Sequence, residues 1–91
     1  MGWAAARKLR TILTNVAGIL AVELIGAVRG LQLRAPLAPS PAGVAAVAAV
    51  AAIAGEPGPD IYVAPALEAV RDVIAGPELR AGIEARIGPL A

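Results

Sequence analysis

The sequence contains no cysteine, no histidine and no phenylalanine, and only one tryptophan, one tyrosine and one serine. Without cysteine there are no disulfides and no thiolate metal sites. Without histidine the commonest general base and metal ligand is missing. Hydrolase triads need a nucleophile, a base and an orienting group, and this alphabet does not supply them. Charge is also sparse. Eight Lys and Arg against seven Asp and Glu leave a net charge of +1 with no repeating basic stripe, which argues against nucleic-acid binding.

What remains is aliphatic and small. Ninety-one residues suit one domain at most. The apolar fraction of 58% overstates the core, because 23 residues are Ala and only 27 are Leu, Ile or Val. An Ala side chain removes little area from water. A chain of this length is already near the margin of independent folding. The composition therefore predicts a thin core, close helix packing and reliance on partners.

The longest apolar stretch, Val16 to Val28, carries one charge, Glu23. A carboxylate among Val, Ile and Leu is costly unless something pairs with it. From Thr11 to Val28, eighteen helical residues would cover about 27 Å, close to the roughly 30 Å of a bilayer core. Arg7, Lys8 and Arg10 precede the stretch as a positive-inside flank would. The energy opposes a membrane span. Nine Leu, Ile and Val residues supply roughly −4 kcal/mol, and a central carboxylate removes on the order of 3 kcal/mol of it. A secretory h-region would have to contain Asn15 and Glu23. At about 100° per residue, Glu23 shares a face with Ile12, Val16, Ile19 and Ala27, and Ala21, Ile25 and Val28 lie opposite. No base stands at i±3 or i±4 of Glu23. A helix apolar nearly all round is buried in a large protein or in lipid, and this chain has little material to surround it. The expectation is a fragment of a larger helical bundle, with Glu23 paired to a group outside this chain.

The remainder reads as shorter helices. Pro36, Pro39 and Pro41 interrupt the chain. Ser40 and Pro41 form an N-cap and first position for a helix over Pro41–Ala54, with Val44, Val47, Val50 and Ile53 as its stripe and Gly55 as its stop. "GEPGPD" is a turn cluster and "IYVAP" is irregular. A third helix is expected over Pro65–Ala75, with Leu67, Val70 and Ile74 on one face. Gly76-Pro77 breaks it, and a short fourth helix follows with Leu79, Ile83 and Ile87 in line. Arg80 and Glu84 are spaced to pair on its exposed face. Gly26 and Gly30 form a small-xxx-small pattern, read as close helix packing rather than a membrane dimer motif. No alternating strand pattern is present, so the fold class is all-α.

Few residues offer chemistry. Ser40 sits between two prolines. Glu56, Asp60, Glu68, Asp72, Glu78 and Glu84 are scattered, without the clustering that metal sites need. Glu68 and Asp72 are spaced to share a helix face, where a solvated role is expected. Tyr62 stands beside a turn and reads as packing. Glu23 is the sharpest candidate, and a structural ion-pair role is expected of it. No catalytic, cofactor-binding or metal-ligating residue is assigned.

The order "MGWAAARKLR", "NVAGILAVELIGAVRGLQLRAPL", "SPA" and "GPDIYVAPALEAV" resembles the C-terminal end of the histidine ammonia-lyases, within the aromatic amino acid lyase family. "AARKLR", "ILAVEL", "LQLRAPL" and "YVAP" are its most specific parts. The Ala-rich stretch Ala45–Ala54 and Ala66 depart from the family's more charged pattern. The resemblance implies that residues 1–91 are a C-terminal helical segment without a complete catalytic domain. It implies a cytoplasmic, homotetrameric parent enzyme that eliminates ammonia from L-histidine to give urocanate. The partners would be the remainder of the lyase chain and other lyase subunits. The family's electrophile is a methylidene-imidazolone ring formed from Ala-Ser-Gly, and the lone Ser40 lies in no such tripeptide. The family's other catalytic groups lie upstream of the segment matched here, so no position inherits them and the chain alone is expected to be inactive. Glu23 matches the glutamate of the family's "AIEL"-like helix, taken as structural. Two other readings are a stand-alone helical interaction protein that binds lyase subunits, and a small membrane-anchored or exported protein.

Overall fold

The computed structural model describes residues 2–56, 58–60 and 62–90. Among them are four helices and no strand: α1 (Gly2–Leu33), α2 (Pro41–Ala54), α3 (Ala64–Ala75) and α4 (Glu78–Ile87). The all-α expectation holds.

Helix α1 runs 32 residues, about 48 Å at 1.5 Å per residue. It extends past the apolar window at both ends. Ala4 to Arg10 are good helix formers, and no proline intervenes before Pro36. Thr11 and Thr14 do not interrupt it, because their hydroxyls donate back to the carbonyls of Arg7 (3.3 Å) and Arg10 (3.0 Å).

Helix α2 has the expected bounds. The Ser40 Oγ accepts the backbone N–H of Gly43 at 3.2 Å, satisfying one orphan donor of the first turn. Gly55 ends the helix at φ +75°, a left-handed conformation suited to glycine. Helix α3 begins one residue before the expected Pro65 and stops at Gly76. Helix α4 follows after Pro77.

Helices α3 and, less extensively, α2 lie against α1, while α4 lies mainly against α2. The fully buried core is small: Ala21 and Val28 from α1, Val50 from α2 and Val70 from α3. Leu24, Ile25, Val47, Ile53, Ala54 and Ile74 surround it. Val50 and Val70 come from the apolar stripes expected of α2 and α3. The stripe of α4 is weaker than expected, since Ile87 is 46% exposed. The core ends before that last turn of α4, so Ile87 contributes little to it.

Little of α1 is buried, as expected of a chain with little material to surround it: only Ala21 and Val28 are enclosed. Its all-round apolarity describes what it could bury, and α2 and α3 cover only one side of it. Gly26 and Gly30 are exposed, and nothing lies within 4 Å of where a Cβ would stand on either. Their small size is not used for close packing within this chain.

Gly18 is also free of neighbours within 4 Å at its Cβ position, deep inside α1. Gly18→Ala is expected to raise stability by about 1 kcal/mol through helix propensity alone. A higher urea midpoint with an unchanged slope would verify it.

Candidate assembly surface

Every described residue from Gly2 to Val16 is exposed, and Leu13 and Thr14 at the end of this stretch border a groove with α3. Leu9, Ile12, Leu13, Val16, Ile19, Leu20 and Val22 are large apolar side chains left in solvent. An apolar band of this continuity marks an interaction surface. By length and composition α1 also passes as a membrane span, as core helices of water-soluble proteins and signal sequences do.

The basic flank does not act as one unit. The guanidinium of Arg7 lies over the Trp3 ring, 5.8 Å from its centroid. Arg10 points to the side of the helix that carries Ala21 and Val28 lower down. Lys8 alone falls on the outward face.

Glu23 is exposed on that same outward face. It borders an apolar groove of about 350 Å³ that Leu20, Leu24 and Ala27 of α1 form with Ile74 of α3 and Leu79 of α4. The ion pairs among the described residues are Glu68–Arg71 (2.6 Å) and Arg80–Glu84 (2.8 Å). Glu23 belongs to neither.

The Arg80–Glu84 pair forms as its spacing predicts. The side-chain hydrogen bond from Arg80 holds the Glu84 carboxyl below its ordinary pKa, and the Leu90 N–H adds to the effect. This pair closes the end of α4: the Arg80 Nη2 donates to the Leu90 carbonyl at 3.0 Å.

The remaining candidates stay apart. Glu68 and Asp72 line separate grooves beside α1, one with Gly18 and Val22, the other with Leu13 and Ala17. Arg71 stands between them, so they do not act as an acid pair. Tyr62 is 84% exposed, which corrects its expected role in packing. It follows the turn cluster, ahead of α3, and no covering element reaches it. Glu56, Asp60 and Glu78 are exposed. Among the described residues no group of three His, Cys, Asp or Glu is placed to hold a metal ion. Ser40 is committed to capping α2 between Pro39 and Pro41. Those neighbours do not fit a ring that is built from Ala-Ser-Gly.

One polar seam lies inside. The Arg29 Nη2 donates to the Ala54 carbonyl at 3.5 Å. The Arg29 Nη1 and both polar atoms of the Gln32 amide are buried without a protein partner.

A long helix with an outward apolar face and a small shared core define an all-α unit with an uncovered surface. The profile described as "Aromatic amino acid lyase" matches residues 1–52, and the chain belongs to that family. Within it, the chain is similar to histidine ammonia-lyases. It is 50% identical to that of Streptomyces coelicolor over 99% of this chain and 18% of the relative. It is 50% identical to that of Streptomyces griseus over 100% of this chain and 18% of the relative. It is 45% identical to that of Streptomyces avermitilis over 100% and 18%. The chain thus spans about 18% of the length of the curated relatives it matches. No solved structure gives a significant match.

Proposed function

We propose that this chain is the C-terminal helical segment of a cytoplasmic histidine ammonia-lyase. In this reading the parent enzyme eliminates ammonia from L-histidine non-oxidatively to give urocanate. The segment supplies helical surface to the remainder of the lyase chain and to other subunits of a homotetramer. It contributes no catalytic group and is inactive alone.

The carrying observation is the similarity to histidine ammonia-lyases along essentially the whole chain, at half identity. The exposed apolar band of α1 supports it physically. Such a surface is stable in water only when something covers it.

The test is the intact mass of the native product, captured from its source cells with an antibody to residues 62–90. A product several times heavier than 9.0 kDa that converts histidine to urocanate is the expected result. A heavy product that deaminates only phenylalanine or tyrosine would overturn the substrate. A product of 9.0 kDa would overturn the segment reading and leave a separate helical protein that binds lyase subunits.

A further inference from the structure

We propose that Arg29 is the register pin of α2: by holding the Ala54 carbonyl it selects one of two near-equivalent seats of α2 on the other helices, and without it α2 advances by three residues along its own axis. The inference goes beyond the lyase reading and does not depend on it.

Residues 44–53 read VAAVAAVAAI, a three-residue repeat. A helix backbone superposes on itself when it is advanced about 1.5 Å and turned about 100° per residue. An advance of three residues, about 4.5 Å, therefore sets Val on Val and Ala on Ala. Val47 takes the enclosed place of Val50, and Val50 takes that of Ile53. The buried face then differs by one methylene at the place of Ile53, and at the first turn by Pro41 standing in for Val44. No charged side chain on α2 tells the two seats apart. The near-equivalence holds toward α1, α3 and α4 at once, because each meets the same repeating surface. A reverse movement is opposed by size. It would drive Ile53 into the place of Val50, which is 1% exposed, and overpacking a filled site is destabilising. Residues 34–40 and 55–63 join α2 to α1 and α3, and each stretch is long enough to follow a displacement of about 4.5 Å.

Polar contacts break the tie. Among the described residues, the bond from the Arg29 Nη2 to the Ala54 carbonyl, at 3.5 Å, is the hydrogen bond that reaches α2 from another helix. Ala54 ends α2, so its carbonyl has no partner within the helix. After the advance the Ala51 carbonyl stands there instead, and it already accepts the Gly55 N–H at 2.8 Å. The Arg29 Nη1 and both polar atoms of the Gln32 amide, one turn along α1, are buried without a protein partner. In the advanced seat the Arg29 Nη2 would join them, and burying a cation with no acceptor is costly. Buried polar groups of this kind lower stability, and their best-attested use is to fix register.

The test is thiol labelling of the 91-residue chain, which has no cysteine of its own, so that each substitution reports one position. Val47→Cys, Val50→Cys and Val70→Cys are made singly, with Arg29 intact and with Arg29→Met. With Arg29 intact, positions 50 and 70 are expected to label slowly, because both are enclosed, and the half-buried position 47 faster. Arg29→Met is expected to speed labelling at position 50 on the order of tenfold, as the advanced seat rises from a few per cent of molecules to a comparable share. Labelling at position 47 moves the other way and slows. Labelling at position 70 stays as it was, because α3 does not move. Arg29→Lys restores the original pattern by keeping a donor at the Ala54 carbonyl. Gln32→Leu leaves the pattern unchanged and raises the urea midpoint, because its amide is buried without forming a bond.

Equal acceleration at positions 50 and 70 would overturn the proposal, since a general loosening of the core behaves that way. So would labelling at position 50 that Arg29→Met leaves unchanged, or labelling there that is already fast with Arg29 intact.

Discussion

Val70→Asp is expected to abolish the cooperative unfolding transition of this chain. Val70 is 0% exposed, at the centre of α3 against α1 and α2. The cluster it belongs to holds Ala21, Val28 and Val50 and is flanked by Leu24, Ile25, Val47, Ile53, Ala54 and Ile74, none of which can pair with a carboxylate. An unpaired buried charge costs on the order of 3–5 kcal/mol. Single domains as a class hold only about 5–15 kcal/mol, and a core with four buried side chains among the described residues belongs at the bottom of that range. Val70→Ala removes two carbons without adding charge, and about 2 kcal/mol is expected from it. Far-UV circular dichroism against urea distinguishes the two. The Ala variant keeps a transition at a lower midpoint, and the Asp variant shows none. An Asp variant that melted like wild type would mean that α3 does not close on α1.

Gly55→Val is expected to lower the melting temperature by roughly 10 °C. Gly55 sits at φ +75° and ψ −173°, a region open in practice only to glycine. Its N–H also bonds the Ala51 carbonyl at 2.8 Å, so it terminates α2 while turning the chain away. A β-branched residue there costs about 1–3 kcal/mol, and each kcal/mol moves the midpoint of a domain this size by about 4–8 °C. Gly88 has a similar conformation at φ +87°. It follows α4, which contributes nothing to the fully buried core, so its substitution is expected to matter less. A Gly55→Val chain with an unchanged midpoint would show that the end of α2 can unwind at no cost.

The ends of α2 were legible because punctuation marks both of them. Ser40 and Pro41 start it, and Gly55 stops it. Helix α1 has no such marks. No acidic residue occupies its first turn and no basic residue its last, and the apolar window Thr11–Val28 captured only its middle. Its exposure followed from the shortness of the chain and not from its periodicity. Periodicity reports which faces of a helix are apolar, and not whether any element is present to cover them. Glu23 stood out because a lone charge in an apolar run is conspicuous. Lys8 did not, because beside Arg7 and Arg10 it reads as one member of a basic cluster. The contact of Arg7 with Trp3 separates those cations, together with the position of Arg10 on the other side of the helix.

The small core also has a consequence for synthesis. Ala21 and Val28 are enclosed by residues that follow much later in the chain, up to Val70. A ribosome adding about 5–20 residues per second takes several seconds to travel from Ala21 to Val70. During that interval the side of α1 that carries Ala21 and Val28 lacks the residues of α2 and α3 that enclose it. Chaperones that recognise short aliphatic stretches are therefore expected to meet α1 on the nascent chain, before α3 arrives to shield it.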